Sequence, residues 1–299
     1  MTTRIFGRIP LQRDMKIEME LRKLPKPLKD GIYGEVGRGG NCTVNLRVQR
    51  GEVVVVKIPK KDKIELIEPT SKIIEKEYEI MEKIYTRANR RIPKPIELGR
   101  ENGVNQLSLE LVEFPTVQTI LTNGGIREEE KAALVIECAN AVIEAAHDNR
   151  VVHRDIKEGN FLLGEKIRLI DFGTSKILEE DDSIGRMHKF GRIGTIEYRA
   201  PEITAQNTRT IESDIYAFGM MMYFIFNGKN HLEKMEYDKV LDWHKKVEPP
   251  KIQTPAWRVI EACLRKDPRQ RPQNMRMIRD GIGEEFEKAQ VKVPRFCES

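Results

Sequence analysis

The sequence predicts an α+β chain of two lobes: a small antiparallel-sheet lobe with one helix, then a larger, mainly helical lobe. Three features point there. Residues 44–59 follow strand patterns, residues 70–88 carry a helical stripe, and past Gly125 helical periodicity dominates. A chain of 299 residues is long enough for two such lobes.

In chain order, residues 1–30 read as a basic extension, and the Pro/Lys-rich "LRKLPKPLKD" at 21–30 reads as a boundary. In "TVNLRVQR" the residues Val44, Leu46 and Val48 alternate with polar ones, so one strand face is buried. Arg50-Gly51 marks a turn. "EVVVVKIP" is almost wholly apolar, as a central strand requires. In the helix at 70–88, Ile73, Ile80, Met81 and Ile84 share a face. Strands follow at about 96–100 and 106–113. A helix at 127–149 opens with acidic residues, which favour the positive end of the helix dipole. Several helical patterns fill 203–283, and 284–299 read as a short tail.

Bulk properties exclude some classes. Residues 1–30 hold eight Lys/Arg against four Asp/Glu, so most of the net charge of +5 sits there and the main body is near neutral. No strong nucleic-acid footprint is expected, and the basic arm reads as a solvated extension, with contact to an acidic partner or a membrane surface as the alternative. Cys42, Cys138, Cys263 and Cys297 are too scattered for a zinc site or a redox pair, which suits a reducing compartment. No secretory signal or lipidation box is expected. The longest apolar run, residues 215–226, is too short to span a bilayer and reads as a buried helix. An intracellular, mainly cytoplasmic setting is the expectation.

Chemistry concentrates in four places. "GRGGNCTV", residues 37–44, begins Gly37-x-Gly39 but has Cys42 where a third glycine would complete a phosphate cradle. Glu77 falls on the apolar face of its helix, which is costly for an unpaired carboxylate. It either pairs with a cation, Lys57 being the obvious one, or reaches solvent at the edge of the stripe. "VVHRDIKEGN", residues 151–160, gathers His, Arg, Asp, Lys and Asn in one short loop, with Asp155 a candidate base and Lys157 a candidate neutraliser of phosphoryl charge. "IRLIDFG", residues 167–173, delivers Asp171 from a strand to a turn. Asn160 and Asp171 are hard oxygen donors, suited to Mg²⁺ rather than zinc.

Each piece alone is weak, but their order is specific: glycine-rich turn, strand Lys, helix Glu, HRD-x₄-N, DFG. The sequence resembles the eukaryotic protein kinase family over about residues 31–283, and the likeness continues through "GTIEYRAPE" at 194–202, "SDIYAFG" at 213–219 and "CLRKDPRQRP" at 263–272. The resemblance implies a bilobal protein-kinase-like fold, with a lobe at about 31–113 and another at about 117–283. It implies ATP and Mg²⁺, with Mn²⁺ as an alternative ion. Gly37, Gly39 and Val44 would flank the nucleotide. Lys57 would bind its phosphates and pair with Glu77. Glu113 would mark the hinge beside the adenine, with Glu110 the other register. Asp155 would accept the substrate hydroxyl proton, Lys157 would meet the γ-phosphate, and Asn160 and Asp171 would hold the metal. By the same resemblance, Glu202 and Arg271 form an ion pair in the large lobe, Asp214 braces the catalytic loop, and His153 and Phe172 pack. Cys42 reads as a plain small residue in the third glycine position, with a redox-sensitive thiol as the alternative.

Lys157 together with Thr195 resembles the serine/threonine branch, so protein Ser/Thr hydroxyls are the expected acceptors. Arg154 precedes the catalytic aspartate, a place where the family often binds an activation-segment phosphate. Residues 184–193 contain no Ser, Thr or Tyr, so activity is expected not to depend on phosphorylation at the usual place. Ser183 or the acidic run Glu179–Asp182 would then serve instead, or the loop is ordered without phosphate. Two other classes compete. A pseudokinase scaffold would be expected to lose at least one of Lys57, Glu77, Asp155, Asn160 and Asp171, and a small-molecule kinase generally lacks the "GT..Y.APE" stretch.

Overall fold

The computed structural model describes residues 4–6, 9–10, 12–60, 67–85, 90–178, 194–206 and 210–298. Strands β1 (Gly31–Arg38), β2 (Cys42–Gln49), β3 (Glu52–Pro59), β4 (Pro95–Glu101) and β5 (Val104–Glu110) form one antiparallel sheet in the order β1-β2-β3-β5-β4. Two of its hairpins turn through pairs with positive φ. Arg50 and Gly51 lie at 53° and 80°, and Asn102 and Gly103 at 52° and 79°. Two such residues in a row match the right-handed twist of the strands they join. In β3, Val54 and Val56 are buried and Lys57 sits one residue on, which puts its stem along the sheet's other face.

Helix α2 (Ile67–Tyr85) lies against β5. Its buried stripe runs Ile74, Glu77, Ile80, Met81 and Ile84. Ile73, assigned to that stripe from sequence, is only half-buried and instead packs at Gly173, where an added Cβ would fall 3.0 Å from its Cγ2.

The second lobe holds α3 (Val117–Asn123), α4 (Glu128–Ala145), α5 (Pro201–Gln206), α6 (Ile211–Asn227), α7 (Tyr237–Lys246), α8 (Trp257–Cys263) and α9 (Met275–Lys288). The apolar run read as a buried helix is α6, which is buried from Ser213 to Phe226. Each large apolar side chain so buried is worth about 1.5–3 kcal/mol before conformational entropy is subtracted. Gly228 ends α6 with φ of 75°, and its N–H returns to Phe224 O. α9 packs on α4.

Two expectations are corrected. The strand expected at 106–113 stops at Glu110. The helix expected to reach 149 stops at Ala145, and a short 3₁₀ turn, His147–Asn149, precedes a left-handed Arg150.

The largest difference concerns the basic extension, which is docked. Arg4–Ile5 pairs antiparallel with Ile9–Pro10 on one side and Cys297–Glu298 on the other. Ile5, Phe6 and Phe296 are buried there, with the two phenyl rings edge to face at 5.8 Å. Helix α1 (Met15–Arg22) lies against β1. Burial of the apolar side chains beneath these segments outweighs the solvation that charge alone would favour.

Candidate active site

A cleft of about 380 Å³ runs between the sheet and the helical lobe, lined by Gly37, Gly39, Val44, Lys57, Asn160 and Asp171 among others. β1 and β2 supply its roof. Gly37 pairs with Val44 across the hairpin, and Gly39 N–H donates to Cys42 O at 2.9 Å. Neither glycine needs a left-handed backbone. What Gly37 needs is space, since a Cβ there would fall 3.3 Å from that of Val44. Cys42 is buried, and burial pushes its thiol up to about 11, so the thiolate is scarce at neutral pH.

Lys57 crosses the cleft floor. Its Nζ donates to Glu77 Oε2 at 2.7 Å and to Asp171 Oδ1 at 2.6 Å. Burial works to lower the Lys57 pKa, but the two facing carboxylates outweigh it and hold the ammonium charged. Glu77 is 1% exposed, and burial pushes its carboxyl up against the opposing pull of Lys57. The inward carboxylate on the apolar face is therefore paired, and the solvent-reaching alternative is excluded. Lys57 beside Asp171 holds that carboxyl down at about 2.

Asp155 sits in a tighter web. Its Oδ1 accepts from Thr195 N–H at 2.9 Å and Thr195 Oγ1 at 2.8 Å. Its Oδ2 accepts from Lys157 Nζ at 2.8 Å and Asn160 Nδ2 at 3.0 Å. Lys157 also donates to Thr195 Oγ1 at 2.6 Å. Asp214 braces the loop from below, taking the backbone N–H groups of His153 and Arg154 at 2.7 and 2.8 Å. Arg154 has φ of 71°, so this loop is held in a conformation that a free chain would avoid. His153 is fully buried, edge to face with Phe172 at 4.9 Å, and burial lowers its pKa, so it packs as a neutral ring. Glu202 and Arg271 form a two-pronged pair at 2.7 and 2.8 Å.

Glu113, assigned to the hinge from sequence, stays outside the cleft. Glu110, Leu111 and Val112 line it instead. The Glu113 carboxylate pairs with Arg13, and its carbonyl accepts Asp14 N–H at 2.7 Å. Ser183 and Glu179–Asp182 lie outside the described residues. Sequence reasoning missed Asp14 and Ile17, which line the cleft from α1 and its cap. It also missed His244, which binds the platform of Thr195: its Nε2 donates to Ile196 O at 3.0 Å and its Nδ1 accepts from Tyr216 Oη at 2.9 Å. Neighbouring Trp243 was the available signal, because an aromatic pair on a short amphipathic helix marks its buried face.

Two lobes, a lysine–glutamate bridge and an aspartate held by lysine, asparagine and threonine define a phosphoryl-transfer type of domain. The chain belongs to the protein kinase domain family, whose model matches residues 32–281. It is 29% identical over 287 residues to the serine/threonine-protein kinase PkaA of Streptomyces coelicolor, covering 90% of this chain and 52% of that protein. It is 31% identical over 135 residues to the serine/threonine-protein kinase PrkC of Bacillus subtilis, covering 44% of this chain and 20% of that one. The serine/threonine-protein kinase polo of Drosophila melanogaster is 32% identical over 163 residues, covering 52% of this chain and 27% of that protein. The chain thus spans about half of PkaA and smaller shares of the others. Among the described residues no helix is long and apolar enough to cross a membrane.

Proposed function

We infer that the protein is a serine/threonine protein kinase, moving the γ-phosphoryl group of ATP to Ser or Thr hydroxyls of protein substrates. The observation that carries this is the pair of hydrogen bonds from Lys57 Nζ to Glu77 and Asp171, which aligns the cleft floor for a polyphosphate. The donor set fits a magnesium ion. Asn160 spends its Nδ2 on Asp155, which leaves Oδ1 as its ligand atom, and Asp171 keeps Oδ2 beyond its bond to Lys57. Magnesium is commonly held by one or two protein oxygens together with substrate phosphates, and these two atoms supply that number. When bound, Mg²⁺ supplies charge neutralisation at the phosphates; Mn²⁺ would meet the same oxygens.

Lys57 holds the phosphate chain. Gly37, Gly39 and Val44 cover the nucleotide, with the hinge at Glu110–Val112 in place of Glu113. Asp155 orients the acceptor hydroxyl and takes its proton. Lys157, now shared between Asp155 and Thr195, offsets charge on the phosphoryl oxygens. The names of the relatives and the Lys157–Thr195 contact support Ser/Thr acceptors.

The test is phosphate transfer from labelled ATP to a generic protein such as myelin basic protein, with Mg²⁺ or Mn²⁺, followed by identification of the phosphorylated amino acid. Phosphoserine or phosphothreonine from wild type, and none from Lys57→Met, is the expected result. No turnover with either ion would favour a scaffold instead.

A further inference from the structure

The geometry points to a nucleotide-binding wall supplied by the N-terminal strap: Ile17, held in place by Arg13 and Asp14, forms part of the base end of the cleft. This rests on the reading of the cleft as an ATP site and adds a binding element from outside the family's matched span, which begins at residue 32.

Four observations converge. Asp14 and Ile17 line the same cleft as Lys57 and Asp171. The strap is fixed to the segment after β5 at two points, Asp14 N–H to Glu113 O at 2.7 Å and the Arg13–Glu113 ion pair. Asp14 also caps α1, its Oδ1 accepting from Lys16 N–H at 2.9 Å and Ile17 N–H at 3.2 Å. The residue that grips Glu113, just past the hinge, therefore also sets the direction in which Ile17 leaves the backbone. Finally, α1 lies against β1 with the Glu20 carboxylate over Gly34, where a Cβ would fall 1.8 Å from its Oε2. Farther back, the pairing of Arg4–Ile5 with Cys297–Glu298 anchors the strap to the helical lobe's end.

The strap leaves about 380 Å³ of cleft open with Ile17 in place, so it completes the pocket and does not plug it. An apolar side chain at the base end stabilises bound nucleotide by excluding water from it. A loss of a few methylenes from such a wall is worth on the order of tenfold in affinity.

The experiment is Mg·ADP binding to the full chain, followed with a fluorescent ADP analogue. Ile17→Ala is expected to raise Kd about tenfold. Arg13→Glu is expected to raise it about threefold, the size of an exposed ion pair, and Glu113→Lys in the same chain to restore much of it. Hydrogen exchange at the amides of Met15–Arg22 should slow when Mg·ADP is added, a readout that does not depend on any variant folding. If wild type binds and Ile17→Ala binds equally well, or if exchange in α1 is unchanged, the wall is wrong while the ATP reading stands. Tighter binding by Ile17→Ala would overturn it in favour of a plug. If wild type binds no Mg·ADP, the ATP reading falls and takes the wall with it.

Discussion

The roof and the floor of the cleft are built on opposite terms. Along the roof, Arg38, Gly39, Gly40 and Asn41 are exposed, and the hairpin is held by strand pairing and a few backbone bonds. On the floor, residues 151–156 are all buried, Asp155 has four hydrogen-bond donors, and the loop hangs from the buried carboxylate of Asp214. In the kinase reading proposed above, the atoms that meet the reacting phosphorus sit on the over-determined side. The side that nucleotide must enter and leave past is the lightly held one. Damage to the floor should therefore appear in kcat and in folding, and damage to the roof in KM.

The strongest test of that division removes floor charges. Asp171→Asn or Asp155→Asn is expected to lower kcat by on the order of a thousandfold or more, with the fold intact by circular dichroism. Next comes Asp214→Ala, which strands two buried N–H groups and unmoors the loop. It should cost about 3 kcal/mol in denaturant unfolding, and most of kcat. Gly194→Ala follows: φ there is 77° and a Cβ would fall 2.8 Å from Arg154 O. The left-handed backbone alone costs about 1–2 kcal/mol, and the clash would push Thr195 from Asp155, so kcat falls more than KM rises.

Acid provides a gentler probe of the floor. Burial holds His244 down at about 3, between Ile196 O and Tyr216. In the unfolded chain the same ring takes a proton near its usual value of about 6.5. Between those two values the unfolded state binds a proton that the folded state refuses, so stability is lost as pH falls from about 6.5 towards 3. In His244→Gln the melting temperature should decline less steeply over that window. Smallest is the roof: Cys42→Gly restores the third glycine and should leave kcat unchanged, shifting KM for ATP about threefold or less, the weight of one small side chain on a hairpin. A change in kcat as large as that of Gly194→Ala would collapse the distinction between roof and floor.

Much of the floor was legible in the sequence because its chemistry needs side chains. A carboxylate on an apolar stripe asks for a cation, and Lys57 answered for Glu77. The HRD-x₄-N and DFG runs named their own partners. For the hinge the sequence left two registers, Glu113 and Glu110; the strand ends at Glu110, and Glu110 to Val112 line the cleft. The strap was illegible for a deeper reason. Half of its grip on Glu113 is a backbone N–H to a backbone carbonyl, which leaves no mark on residue type, and the other half is an ion pair between residues too far apart in sequence to be paired from it. Short α1, with Met15 and Met19 exposed, also showed no clean apolar face.

The pairing of Arg4 with Glu298 has a mechanical consequence. Residues near the two ends of the described chain are neighbours on adjacent strands, about 5 Å apart, so a pull applied between them loads two rungs before it loads either lobe. Antiparallel rungs pulled from the same end separate singly, like a zip. Under tension the Arg4–Glu298 rung would open first, then Ile5–Cys297, and next the bond from Phe6 N–H to Phe296 O. These rungs, with the edge-to-face Phe6–Phe296 pair behind them, would take the strain of a pull on the ends one at a time.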